Sequence, residues 1–149
     1  MDRPGKPYYT DPGHRHERFE RMSKPENIGY ILDQTRDFIT LIDSEYRYEL
    51  ANRAYCDAIV KTRSEIVGKT VPEVWGDSIF EEKIKEHLDR CYAGESIQYV
   101  EQFQFGPMLR HMHVTYIPYR DQEDTVTHAL VVSHDITHIT EVESKLTRY

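Results

Sequence analysis

Cysteine is almost missing from this 149-residue chain: only Cys56 and Cys91 occur. They are far apart and show no C-x-x-C spacing, so they form neither a zinc knuckle nor a redox pair. Two isolated thiols fit a reducing compartment. Positive charge is also short. The chain has 19 Lys and Arg against 26 Asp and Glu, a net charge of −7. A nucleic-acid binder needs a basic patch to neutralise phosphates, and here the basic residues are scattered, which argues for no nucleic-acid partner. The acidic balance also disfavours anionic membrane surfaces. No apolar run reaches transmembrane length, and MDRPGKPYYTDPGHRHERFE lacks the apolar stretch of a signal peptide. The expectation is a cytoplasmic fragment without membrane contact of its own; a longer parent protein could still carry a span. Neither G-x-x-x-x-G-K-[ST] nor G-x-G-x-x-G occurs, so no phosphate-binding loop is expected.

Several elements can be read from the pattern. Residues 1–13 carry three prolines, two glycines and no periodicity, and read as an arm or linker. Residues 14–36 read as helix in two pieces, broken near Pro25, with Ile28, Ile31 and Leu32 at helical spacing in the second. DFITLID (37–43) and YRYELA (46–51) read as a hairpin turning at Ser44-Glu45. Asn52 is placed to cap a short helix, and Gly68 to end the turn that begins at Ser64 and Glu65. Pro72 opens a further short element. The longest interior helix spans 77–93, with Ile79, Phe80, Ile84, Leu88 and Cys91 as its apolar stripe and Gly94 as its stop. Strands follow at 97–105, 109–119 and 125–136, with DQED (121–124) as the last turn. This order implies an α+β domain with one antiparallel sheet and helices on one face. In the tail, Ile139, Val142, Leu146 and Tyr149 are spaced three, four, three, as in a coiled-coil seam. The same spacing suits a single amphipathic helix folded back on its own sheet.

Taken together, DFITLIDSEYRYELAN, SEIVGKT, the helix closing in AGES, the strand ending IPYRD and the terminal SHDIT resemble a PAS sensory domain. The resemblance implies a PAS fold: a five-stranded antiparallel sheet of order 2-1-5-4-3, helices over one face, and flanking N-terminal and C-terminal signalling helices. It divides the chain into an arm and flanking helix (1–26), the PAS domain (27–137) and the start of a coiled-coil linker helix (138–149). It implies that Asp135-Ile136-Thr137 is the exit through which a change passes to an attached output domain. The continuation to KLTRY looks most like the linker before a GGDEF-type diguanylate cyclase, with a sensor histidine kinase next. The fragment itself is then a non-catalytic input module and a homodimer through its terminal helices. Asp135 can hold a cation at this junction, and Thr137 can cap the new helix with its hydroxyl.

Matched to the family, Met112, Val114 and Tyr116 face a cavity from one strand, and Ala129, Val131 and Ser133 from the next. Strand 97–105 adds Gln102 or Phe103. Such a wall suits a small, partly apolar ligand, whose identity the sequence leaves unknown; a cavity filled by side chains would instead make the module a ligand-free dimerisation unit. Haem is disfavoured, because His87 sits beside the apolar stripe and one turn later than the family's haem ligand. Flavin is disfavoured, because NRAYCDAI lacks the flavin-reactive cysteine motif and Cys56 reads as a core residue. With the register set by the 121–124 turn, His111 lies opposite His134 and His113 diagonal to both, a cluster that could bind a transition metal. His134 and Asp135 are strand neighbours on opposite faces and form no catalytic relay. A small α+β cavity enzyme would need an acid or base in the pocket, and this wall offers only Tyr116 and Ser133.

Overall fold

The computed structural model describes residues 25–148. The arm expected over 1–13, the helical piece before Pro25 and the seam residue Tyr149 lie outside the described residues. The chain divides into two units, 1–34 and 35–149. In the first, helix α1 (Pro25–Leu32) begins at the proline, whose fixed φ suits a first helical turn. It closes with Asp33 N–H on the Gly29 carbonyl.

The second unit is built on five strands: β1 (Phe38–Asp43), β2 (Tyr48–Ala51), β3 (Ile97–Phe105), β4 (Met108–Arg120) and β5 (Val126–Asp135). They form one antiparallel sheet of order β2-β1-β5-β4-β3, as the resemblance implies. Between β2 and β3 come α2 (Arg53–Ile59), a 3-10 turn (Arg63–Glu65), α3 (Val71–Trp75) and α4 (residues 77–92). After β5, α5 (Thr137–Arg148) leaves the sheet. No helix among the described residues is long and apolar enough to cross a membrane.

Alternation decides the two faces of the sheet. In β1, Phe38, Thr40 and Ile42 are buried while their neighbours are partly exposed, as period-two geometry requires. In β4 the same face carries Met112, Val114 and Tyr116. Strand β2 and the segments between β2 and β3 close over it with Tyr48, Ile66, Val71, Leu88 and Cys91, each 2 % exposed or less. Asn52 joins strand to helix: its Oδ1 accepts from Ile39 N–H at 3.0 Å and caps α2 through Tyr55 N–H, while its Nδ2 donates to the Asp37 carbonyl at 2.8 Å. Leaving those buried groups unpaired would be costly.

Three details differ from the expected pattern. The first hairpin turns over 44–47 rather than at Ser44-Glu45, because the Asp43 carboxylate accepts the N–H groups of Glu45 and Arg47 and holds Tyr46 at φ +66°. Helix α4 contains a π turn, Phe80–Ile84, which adds one residue and keeps Phe80, Ile84, Leu88 and Cys91 on the buried side. Gly94 ends it at φ +105°, a conformation strained for any side chain. Finally, the β4–β5 connection is a five-residue turn, Asp121 N–H to the Thr125 carbonyl, followed by a bulge at Tyr119/Arg120. Together they slip the register by two residues.

Candidate functional site

The inner face of the sheet and the covering helices leave between them a partly open void of about 50 Å³. The strands supply Phe38, Thr40, Ile42, Tyr48, Phe103, Phe105, Met112, Val114, Tyr116, Val131 and Ser133 to its wall. The helices supply Tyr55, Val71, Trp75 and Ile84. Phe103, Met112, Val114, Tyr116, Val131 and Ser133 therefore border the void. Ala129 is fully buried but does not reach it. Gln102 is corrected: it is exposed on the other face of β3, since its neighbour Phe103 takes the inward position and adjacent strand residues cannot share a face.

Polar groups are few and clustered. Trp75 Nε1–H donates to Tyr55 Oη at 2.8 Å, and Tyr55 and Tyr48 share a hydrogen bond of 2.6 Å. Burial raises both phenols, Tyr55 to about 12 and Tyr48 well above its ordinary value, so both keep their protons near neutrality. At the opposite end, Tyr116 and Tyr99 hydroxyls lie 3.3 Å apart, and Tyr99 donates to the Lys83 carbonyl at 3.3 Å. Burial raises Tyr116 and takes Tyr99 to about 12. The His87 ring stacks on Tyr99, centroids 3.9 Å apart and 10° from parallel, with Nδ1 3.2 Å from the Lys83 carbonyl. His87 does not border the void. Cys56 is buried, its Sγ facing the Ala51 carbonyl.

The histidine cluster does not form. The two-residue slip places His113, not His111, opposite His134. The His111 backbone instead pairs with the exit from β5, and His134 Nδ1 lies 2.7 Å from Asp37 Oδ1. Among the described residues no three His, Cys, Asp or Glu side chains converge on a metal-sized site. Because the slip is even, it changes partners without changing faces, and the inward assignments on β4 and β5 survive it.

At the end of β5 the three junction residues are held tightly. Ile136 N–H donates to the His111 carbonyl at 2.8 Å, and His111 N–H to Thr137 Oγ1 at 2.9 Å. Asp135 Oδ1 accepts the Thr137 N–H at 2.9 Å and hydroxyl at 2.6 Å. The capping acceptor is thus the Asp135 carboxylate, and the Thr137 hydroxyl is spent on Asp135 and β4. Partial burial alone would raise the Asp135 pKa, but the Thr137 hydroxyl and N–H and the Arg110 guanidinium outweigh it, and the pKa is lowered.

Arg110 is the residue the sequence reading missed at this end. Its Nη1 lies 3.3 Å from Asp135 Oδ2, and its guanidinium carbon stands 5.9 Å from the Phe38 ring and 5.3 Å from the Phe105 ring. Both rings border the void. The signal was available: Arg110 continues the alternation Tyr116, Val114, Met112 by one step. Thr40, Tyr48, Tyr55 and Trp75 were also missed; alternation along β1 would have found Thr40.

The PAS fold family model matches residues 32–140. Among solved structures, the PAS domain of Bordetella pertussis BvgS is 29 % identical, with a TM-score of 0.67, covering 83 % of this chain and 93 % of that one. A PAS domain from Colwellia psychrerythraea is 13 % identical, with a TM-score of 0.63, covering 76 % and 97 %. The Vibrio cholera VqmA–ligand–DNA complex is 18 % identical, with a TM-score of 0.67, covering 76 % of this chain and 52 % of that one. No curated protein matches the chain significantly.

Proposed function

Because this chain belongs to the PAS fold family, a family of sensory and signalling modules, we propose that it is the non-catalytic input unit of a signalling protein. A small ligand or partner biases the sheet, and the bias leaves through Asp135-Ile136-Thr137 into α5. The observation that carries this reading is the position of Arg110. One guanidinium touches two rings of the cavity wall and the carboxylate that holds the first turn of the exit helix. A shift of Phe38 or Phe105 therefore changes the charge partner of Asp135 and the seat of α5.

The output we favour is a diguanylate cyclase, with a histidine kinase next, on the resemblance of the residues from SHDIT to KLTRY to such linkers. Dimerisation through the terminal helices is supported by the stripe of α5, where Ile139, Val142 and Leu146 are all exposed, as a coiled-coil seam awaiting its mate would be. The small void supports a second reading, a ligand-free dimerisation module. We place the domain at 27–137 and its setting in the cytoplasm on the same grounds as the sequence reading.

Hydrogen exchange across 135–142 tests the relay. Filling the void by substitution, or occupying it with a small molecule, is expected to alter exchange at Ile136 and Thr137. Unchanged exchange with the void filled would sink the relay. Analytical ultracentrifugation separates the second reading: a dimer with no response to cavity occupation supports it.

A further inference from the structure

Resting on the ligand-sensing reading above, we propose that the cavity takes a small neutral carbonyl compound, held by a phenolic O–H of the Tyr48–Tyr55 pair. The basis is a count of hydrogens. Trp75 Nε1–H, Tyr55 O–H and Tyr48 O–H bring three; Trp75 donates to Tyr55 at 2.8 Å while also facing Tyr48, and one hydrogen bond of 2.6 Å joins Tyr48 with Tyr55. If Tyr48 donates, Tyr55 accepts twice and its own hydrogen is spare. If Tyr55 donates, the Tyr48 hydrogen is spare. In either case one O–H has no acceptor among the described residues. Both side chains border the void and are more than nine-tenths buried, Tyr48 2 % and Tyr55 8 % exposed. A buried donor in that state costs free energy until an acceptor, water or ligand, arrives.

The far end of the cavity behaves differently. There Tyr116 can donate to Tyr99, and Tyr99 donates to the Lys83 carbonyl. That chain terminates on an acceptor and leaves nothing over. The spare donor therefore fixes which end of the ligand is polar.

Charge and size narrow the class. No residue bordering the void carries a charged side chain, and the guanidinium behind its wall, Arg110, is paired with Asp135, so an anion or ammonium would lose its hydration with no free counter-charge. A void of about 50 Å³ holds about two waters at ~30 Å³ each, which is room for the carbonyl group itself; the cavity is partly open, and the rest of a small molecule extends along its wall toward the opening. A carbonyl oxygen accepts the spare hydrogen without bringing another that needs its own acceptor. The apolar remainder would lie against Met112, Val114 and Val131.

The test uses three isosteres on the wild-type chain, with methyl NMR of Met112, Val114 and Val131 as readout: 2-butanone, 2-methyl-1-butene and propionate. The expected result is saturable shifts with 2-butanone, binding at least tenfold weaker with the alkene, and none with propionate. If the alkene binds as well as the ketone, the acceptor class is overturned while the cavity stands as a ligand site. If propionate binds as well as the ketone, neutrality is overturned. If none of the three gives saturable shifts, the proposal falls together with the ligand side of the sensory reading.

Discussion

Arg110 Nη1 stands 3.3 Å from Asp135 Oδ2, on the cavity face of the sheet, 25 positions apart in sequence. The pair lies where the apolar wall ends and the exit helix begins. Replacing Arg110 with Met keeps apolar bulk over Phe38 and Phe105 but removes the charge. The expected global loss is about 1 kcal/mol or less, since the pair is only partly buried. The local effect should be larger in kind: faster amide exchange at Ile136 and Thr137. Exchange identical to wild type would remove Arg110 from the relay.

The same pair sets a pH response. The folded Asp135 carboxyl titrates below its ordinary value. Its contribution is therefore complete above the unfolded carboxyl pKa, near ~4, and is lost as pH falls through the lower folded value. A carboxyl NMR titration should show a depressed midpoint, with the Thr137 amide shift moving in step. In Arg110→Met the midpoint should rise towards normal. An ordinary midpoint in the wild type would contradict the geometry described.

The two inward tyrosines should respond unequally to loss of the hydroxyl. Tyr48→Phe leaves the Trp75–Tyr55 bond intact and removes one hydrogen bond, at about 0.5–1.5 kcal/mol. Tyr55→Phe strips the acceptor from Trp75 and the partner from Tyr48 together, so a cost of about 2–3 kcal/mol is expected. Urea unfolding followed by the fluorescence of Trp75, the single tryptophan, measures both. Equal costs would mean that Tyr55 is not the hub.

Val131→Ile adds one methylene towards the void. If the space is real, stability should rise by up to about 0.8 kcal/mol, and 2-butanone should bind more weakly. Destabilisation in thermal unfolding would show that the wall has no room there, since overpacking is penalised.

Strand alternation made much of this architecture legible in advance. Matching the strand ends to the PAS family placed Met112, Val114, Tyr116, Val131 and Ser133 inward, and alternation carries that placement along each strand, so it survives errors in partner assignment. Gln102 failed because β3 offered two alternations, and only the packing of Phe103 beside Trp75 decides between them. The histidine cluster failed because a bulge depends on the local geometry of Tyr119 and Arg120, which pattern alone does not encode. Tyr48, Tyr55 and Trp75 come from three different elements. Their meeting is a tertiary fact, and no spacing along the chain records it.

The turn and bulge between β4 and β5 bear on how such a sheet can vary in length. A slip of two exchanges every cross-strand neighbour yet leaves Tyr116 facing the cavity, so even-numbered insertions in this hairpin are absorbed without rewriting the wall. A single added residue needs a further bulge like that at Tyr119/Arg120 to take it up; without one, the distal part of a strand would turn inside out, presenting Ile117 to the void and Tyr116 to water. The hairpin can grow or shrink in steps of two, and its freedom to change is arithmetical before it is energetic.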